Sequence, residues 1–383
     1  MEISTIPLYL YAAYSLETKG HSQWDPGISA FRTIISVVIE EMRHLSLARN
    51  LMLAIGAGDQ ITFYDRKFIS HYPGLMLHRL PDLELHLEPC TKDLMDRIFM
   101  PLELPEKYDV PPQPGRYNTI GQFYKSIEDG FRYLADHDPE FWSQTPDSLK
   151  YQYTSTYWNY QGGGEPVVVS DLKSAMSAMK TIVEQGEGID PSKAIVPTNP
   201  VSPQPGLNEL SHYAKFKRIR DGIDVIGVVK PVPTDPRVAD FEGPVIGLAN
   251  LFNAAYCYVL CMLDKLYTLP RQLVPGRPSP RYHVGRTFIA AMSGLLYPIA
   301  DILTRTPSGG HDGDPINAAP TFEYYDFSAE QSKSGCKTKK EHLMWLCDQA
   351  IVSFPELGGD DGVRWLLTEI PDVDLSSRDK QAS

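Results

Sequence analysis

The chain has 383 residues, enough for two domains or one large one, and carries a formal net charge of −12 with an ordinary globular composition. That charge argues against nucleic acid or an anionic membrane as a principal partner. Its five cysteines are odd in number and scattered, with no Cys-x-x-Cys pair, which points to a reducing, cytoplasmic compartment.

Residues 1–16 open with Glu2 on the same helical face as Ile6, Tyr9, Leu10 and Ala13, and no basic, apolar leader precedes them. After a Gly- and Pro-rich turn at 17–27, a second helix is predicted over 28–56, closed by Gly56 and Gly58. Its apolar stripe (Ile34, Val37, Val38, Leu45, Leu51, Ile55) takes in Glu41 and His44 and leaves Glu40 with Thr33, Ser36 and Arg43 on the polar side. An ionised carboxylate in such a stripe is costly unless it is paired or bound to a metal. Glu41 and His44 are spaced i, i+3, which places a carboxylate and an imidazole side by side. From Glu2 to the end of its helix is ~21 Å, and from the start of the second helix to Glu41 ~20 Å, at 1.5 Å per residue. An antiparallel hairpin therefore brings Glu2 level with Glu41 and His44. Pro7 leaves a second possibility open, in which the helix starts near Ile6 and Glu2 is a frayed end.

Residues 57–117 are Pro-rich, with strand-like alternation at 83–87 and a short helix near 91–99. A third helix follows over 119–135 with Ile120, Tyr124, Ile127, Glu128 and Phe131 inward, which makes Glu128 the candidate fourth carboxylate. An insertion at 136–204 is aromatic-rich in its first half and contains a short strand at 167–169 and a Ser170-capped helix whose Met176 and Met179 are core residues. Its Gly162-Gly163-Gly164 lacks the Gly-Lys-Ser/Thr of a phosphate loop and is a turn. The fourth helix, 207–220, repeats the motif as Glu209-x-x-His212. Two such motifs and two further inward glutamates are the donor set of a four-helix di-metal carboxylate site.

Two apolar helices, 245–268 and 284–305, approach membrane-spanning length, but Asn250, Asn253, Pro298 and Asp301 mark them as buried helices rather than spans. A Gly-rich loop at 307–314, an amphipathic helix near 339–352 and a polar, disordered tail after Pro371 complete the chain.

The order Ser4-Thr5-Ile6-Pro7-Leu8-Tyr9-Leu10, Glu40-Glu41-Met42-Arg43-His44-Leu45, Ile120-Gly121-Gln122-Phe123-Tyr124, Thr181-Ile182-Val183-Glu184-Gln185-Gly186-Glu187-Gly188, Leu210-Ser211-His212-Tyr213 and Ala319-Pro320-Thr321-Phe322-Glu323 resembles the ferritin-like domain family of the iminophenyl-pyruvate dimer synthase type, from violacein- and rebeccamycin-type bisindole pathways. The resemblance covers about residues 1–325. It implies a mainly α, ferritin-like four-helix bundle with long crossovers, followed by a C-terminal extension at 326–383. It also implies metal-ligand roles for Glu2, Glu41, His44, Glu128, Glu209 and His212, with two divalent ions, iron or manganese. The expected function is a di-metal oxidase or oxygenase acting on a small aromatic or imino-acid-derived substrate, with a homodimer as a possible assembly. The alternative is a metal-free ferritin-like scaffold that binds a partner or a small aromatic ligand.

Overall fold

The computed structural model describes residues 1–22, 24–105, 115–138, 140–143, 145–154, 167–187, 210–270, 280–311 and 314–375. These fall into two compact units, one of Met1–Ile61 with Tyr72–Val229 and the other of Thr62–His71 with Lys230–Ser383. The span 1–325 expected to be one domain is thus shared between them.

The first unit opens with helices α1 (Glu2–Tyr14) and α2 (Ser29–Ala54), packed as a hairpin. α1 is continuous through Pro7, its sixth residue, which forgoes the N–H bond to the Ile3 carbonyl, and Glu2 is held inside the first turn and buried. β1 (Gly74–Leu75) and β2 (Glu84–Leu85) then pair antiparallel. A helical segment follows as α3 (Lys92–Leu94, capped by Thr91), a π-helical turn (Met95–Phe99) and α4 (Met100–Leu102). Next come α5 (Ile120–His137), α6 (Thr145–Ser148), α7 (Leu172–Gly186) and α8 (His212–Arg220).

Two apolar clusters hold this unit. Leu47, Leu51 and Ala54 of α2 meet Ile120, Tyr124 and Phe131 of α5 and Ala175, Ala178, Met179 and Ile182 of α7. Tyr9, Phe99 and Phe216 pack edge-on and tilted with centroids 4.8–5.0 Å apart and tie α1, the π-turn and α8 together. Each buried aromatic of this kind contributes about 1.5–3 kcal/mol. The segment expected to be an insertion thus supplies a core helix, because the small, flat face of α7 packs closely on α2. Asp171, not Ser170, caps α7, since it forms a reciprocal capping box with Ser174. Residues 167–169 are not a strand. Their backbone bonds go to side-chain amides, Val169 to Gln152 and Val167 to Asn50.

The second unit is built on α9 (Pro244–Thr268), against which α10 (Pro280–Ala291), a π-helical turn (Met292–Leu296), α11 (Tyr297–Arg305) and α13 (Lys339–Ile351) pack. α9 and the stretch Arg281–Arg305 are long and apolar enough to cross a membrane by length and composition, and 83% and 56% of their most apolar windows are buried within the protein. Two polar residues of α9 have internal partners. Asn253 bonds Thr321 and the Glu323 backbone, and Asp264 accepts from the backbone N–H groups of Phe63 and Tyr64. The Gly-rich stretch expected as a loop forms the hairpin of β3 (Pro307–His311) and β4 (Asp314–Asn317). α12 (Phe327–Ser334) and α14 (Val363–Glu369) complete the unit.

Candidate metal centre

The hairpin of α1 and α2 places three of the expected groups together. Glu41 is only 3% exposed, and its Oε1 lies 3.4 Å from His44 Nδ1. Glu2 Oε2 is 3.7 Å from the same nitrogen. Both carboxylates are fixed from behind, since Thr5 donates to Glu41 Oε2 at 2.8 Å and Tyr124 donates to Glu2 Oε1 at 2.7 Å. The hairpin arithmetic therefore holds, and Glu2 is not a frayed end.

His212 comes from α8. Ser211 caps this helix through the Ala214 N–H, so it begins at His212 rather than near Leu207. Glu209 itself lies outside the described residues. The His212 ring stacks on His44 with centroids 5.2 Å apart. Its Nδ1 sits 2.9 Å from Glu41 Oε1 and 3.4 Å from Glu103 Oε1. Glu41, His44 and His212 each offer one donor atom, all within 4.8 Å of one another, a grouping able to hold a metal ion.

Two expectations need correction. Glu40 is not on a solvated face. It is buried, with Oε2 accepting from His212 Nε2 at 2.9 Å and both oxygens within 2.7 Å of Lys215 Nζ. A 26-residue helix inside a bundle is covered on more than one side, so one apolar stripe does not exhaust its buried face. Glu128 pairs with Lys125 at 3.8 Å and is 22% exposed. On α5 it is Tyr124, one turn earlier, that reaches the cluster. The further carboxylate is Glu103, which directly follows α4 and is 1% exposed. Tyr9 donates to its Oε1 at 2.6 Å, while Oε2 is buried without a hydrogen-bond partner among the described residues. Glu103 sits in a Pro-flanked crossover with no periodicity, which gave the sequence no signal for it. Gln185, whose Oε1 is 3.0 Å from His44 Nε2, was equally silent at the end of α7.

The electrostatics are those of buried acids sharing a few cations. Burial alone raises the Glu41 carboxyl, but His212 and His44 beside it prevail and hold it far below the usual range. Burial likewise opposes ionisation of Glu40, and Lys215 and His212 overcome it, leaving a pKa of about 2. Glu2 is raised, by burial and then by the Glu41 charge. Burial pushes the phenols of Tyr9 and Tyr124 far up, reinforced by Glu103 and Glu2 respectively, so both remain donors. Burial lowers His212, and Glu103, Glu40 and Glu41 outweigh it, raising it well above the ordinary imidazole value. With no metal bound, a proton on this ring takes the place of a cation.

A sequence model of the family described as Ferritin-like matches residues 1–221. The chain is 24% identical over 396 residues to the 2-imino-3-(indol-3-yl)propanoate dimerase of Chromobacterium violaceum, covering 93% of this chain and 36% of that protein. It is 24% identical over 386 residues to the dichlorochromopyrrolate synthase of Lentzea aerocolonigenes, covering 84% of this chain and 35% of that one. It thus spans about a third of the length of these curated relatives. A solved ferritin-like protein from Caulobacter vibrioides aligns over 74% of this chain and 86% of its own, at 21% identity and a TM-score of 0.45. With more than half its length matched by the family model, the chain belongs to the Ferritin-like family.

Proposed function

We propose that the Glu–His cluster is a di-metal carboxylate centre, holding iron or manganese, in a cytoplasmic oxidoreductase that acts on an aromatic 2-imino acid. The observation that carries the metal reading is the orientation of the two imidazoles. His212 Nε2 faces the Glu40 carboxylate and His44 Nε2 faces the Gln185 amide oxygen, both acceptors, so in the neutral rings the proton sits on Nε2. Each Nδ1 then turns a lone pair towards carboxylate oxygens, His212 at 2.9 Å and His44 at 3.4 Å from Glu41 Oε1. Lone pair against lone pair is repulsive unless a cation or a proton lies between. An imidazole whose outer nitrogen is tied to a carboxylate is also the usual setting of a metal-binding histidine.

Glu2, Glu41, Glu103, His44 and His212 would hold the ions, with Glu209 as a further candidate. Mixed oxygen and imidazole donors suit iron or manganese. When bound, such ions supply redox chemistry with O₂. The chain's own residues do the rest. Thr5, Tyr9 and Tyr124 orient the carboxylates by donating to them, Glu40 and Lys215 fix the His212 ring, and the Tyr9–Phe99–Phe216 cluster keeps water from that side of Glu103. The imino-acid substrate is supported by the C. violaceum relative, whose name specifies one, and that part of the reading rests on the relative alone.

The test is anaerobic Fe²⁺ titration of the full chain with metal analysis, followed by O₂ uptake. About two equivalents per chain are expected. Uptake far below one equivalent would sink the reading and leave a ferritin-like scaffold.

A further inference from the structure

Arg79 and Tyr117 lie together in the first unit and serve none of the roles described above. Their backbones are laddered as parallel neighbours, with Leu80 N–H donating to the Tyr117 carbonyl at 2.7 Å and Tyr117 N–H to the His78 carbonyl at 3.1 Å. Both side chains are buried, at 6% and 3% exposure. The Arg79 guanidinium has one bond, from Nη2 to the Pro101 carbonyl at 2.5 Å. Its Nε and Nη1, and the Tyr117 hydroxyl, are buried with no hydrogen-bond partner among the described residues. Buried polar groups are rarely left in this state, and a buried charge without bonds costs several kcal/mol.

These groups adjoin the metal centre through covalent and ring contacts. Pro101 is two residues before Glu103. The Tyr117 ring is 5.2 Å from Phe123, Phe123 is 5.5 Å from Tyr124, and Tyr124 bonds Glu2. Burial, with Glu2 adding to it and Arg79 opposing, lifts the Tyr117 phenol to about 12, so it is a neutral donor. One further charge faces Arg79. Glu187, buried, lies within Coulombic reach of the guanidinium while its Oε1 accepts from Gly121 N–H.

We propose that Arg79 and Tyr117 form a binding site for the carboxylate of the substrate. Two guanidinium nitrogens and one phenol, all donors without a partner among the described residues, call for an acceptor with negative charge. A carboxylate matches a guanidinium in shape and charge, with the phenol adding one more bond. A phosphate dianion does not fit, because Glu187 already offsets part of the single positive charge. The site rests on the proposed function only for what lies at the other end of the ligand. It assigns the carboxylate end of that ligand to Arg79 and Tyr117.

The experiment is calorimetric titration of the full chain, as purified and after metal removal, with phenylpyruvate, a 2-oxo acid that avoids imine hydrolysis. Phenylacetone, which lacks only the carboxylate, and inorganic phosphate are the comparison ligands. Phenylpyruvate is expected to bind, and phenylacetone to bind about 100-fold more weakly. Arg79→Gln should weaken phenylpyruvate by about 30-fold or more. Tyr117→Phe removes one hydroxyl that has no hydrogen-bond partner among the described residues, so the fold and metal uptake should be kept while phenylpyruvate affinity drops about 5-fold. The site is overturned if phenylpyruvate does not bind, if phenylacetone or phosphate binds as well, or if Tyr117→Phe binds phenylpyruvate as the unmodified chain does. Arg79-dependent binding in a chain that takes up no metal would remove the metal reading and leave this site standing. Normal metal uptake with variants that bind phenylpyruvate normally would do the reverse.

Discussion

His212 Nδ1 lies 2.9 Å from Glu41 Oε1, closer than many hydrogen bonds, yet that nitrogen makes no well-directed hydrogen bond among the described residues. Two helices distant in sequence have been packed so that two electron-rich atoms meet, and in the absence of a metal only a proton on the ring reconciles them. A cation placed between them relieves the conflict. His212→Ala should therefore reduce Fe²⁺ or Co²⁺ affinity by about 100-fold or more. Because the ring is buried beside Glu40 and Glu103, thermal melting of the metal-free variant must accompany the metal titration, to separate lost coordination from lost fold.

In the proposed centre Glu40 would act on the metal through His212, whose Nε2 it faces. Glu40→Gln keeps the size of the side chain and removes the charge that Lys215 and the His212 Nε2–H both seek. Metal affinity should fall by about 10- to 100-fold, measured by competition with a chelator of known strength. An unchanged affinity would mean that the Glu40–Lys215 pair is structural only.

Glu103 and Glu128 make opposite predictions. Glu103→Gln should lower metal occupancy or shift the absorption of a Co²⁺-loaded sample. Glu128→Gln should do neither, since Glu128 pairs with exposed Lys125 and loses at most about 0.5 kcal/mol of stability. If instead Glu128→Gln loses metal, the assignment of the further carboxylate to Glu103 is wrong.

The second unit offers a pH test away from any metal. Buried Lys230 has its ammonium 2.9 Å from Asp301 and 3.1 Å from Thr304, and Asp301 also accepts from Arg305 at 3.0 Å. Burial raises the Asp301 carboxyl, but Lys230 and Arg305 prevail and depress it below its ordinary value. A carboxylate depressed in the folded state adds stability that is fully present above its unfolded pKa, about 3.9, and is lost as pH falls through the folded value. Asp301→Asn should cost about 3 kcal/mol at pH 7 by leaving Lys230 buried without its counter-ion. Melting curves from pH 7 to pH 3 should show a shallower acid decline for the variant than for the unmodified chain.

Much of the first unit was legible because helical period and covalent length are local. The stripe of α2 specifies that Glu41 and His44 point inward, and equal chain lengths on either side of one turn bring Glu2 level with them. The order of motifs also carries the Ferritin-like family. Where the sequence was silent or misleading, the answer depended on what packs against what. Glu40 looks solvent-facing until α8 covers it with His212 and Lys215. Glu128 looks inward until α5 presents Tyr124 in its place, and α7 looks like part of an insertion until its small face meets α2. Glu103, Arg79 and Tyr117 lie outside the helices and have no periodicity to announce them, and Gln185 is one polar residue in the last turn of α7. Periodicity fixes which face of a helix is apolar. Which polar groups meet across the interior is set by long-range packing, and that depends on the shape of every neighbouring element at once.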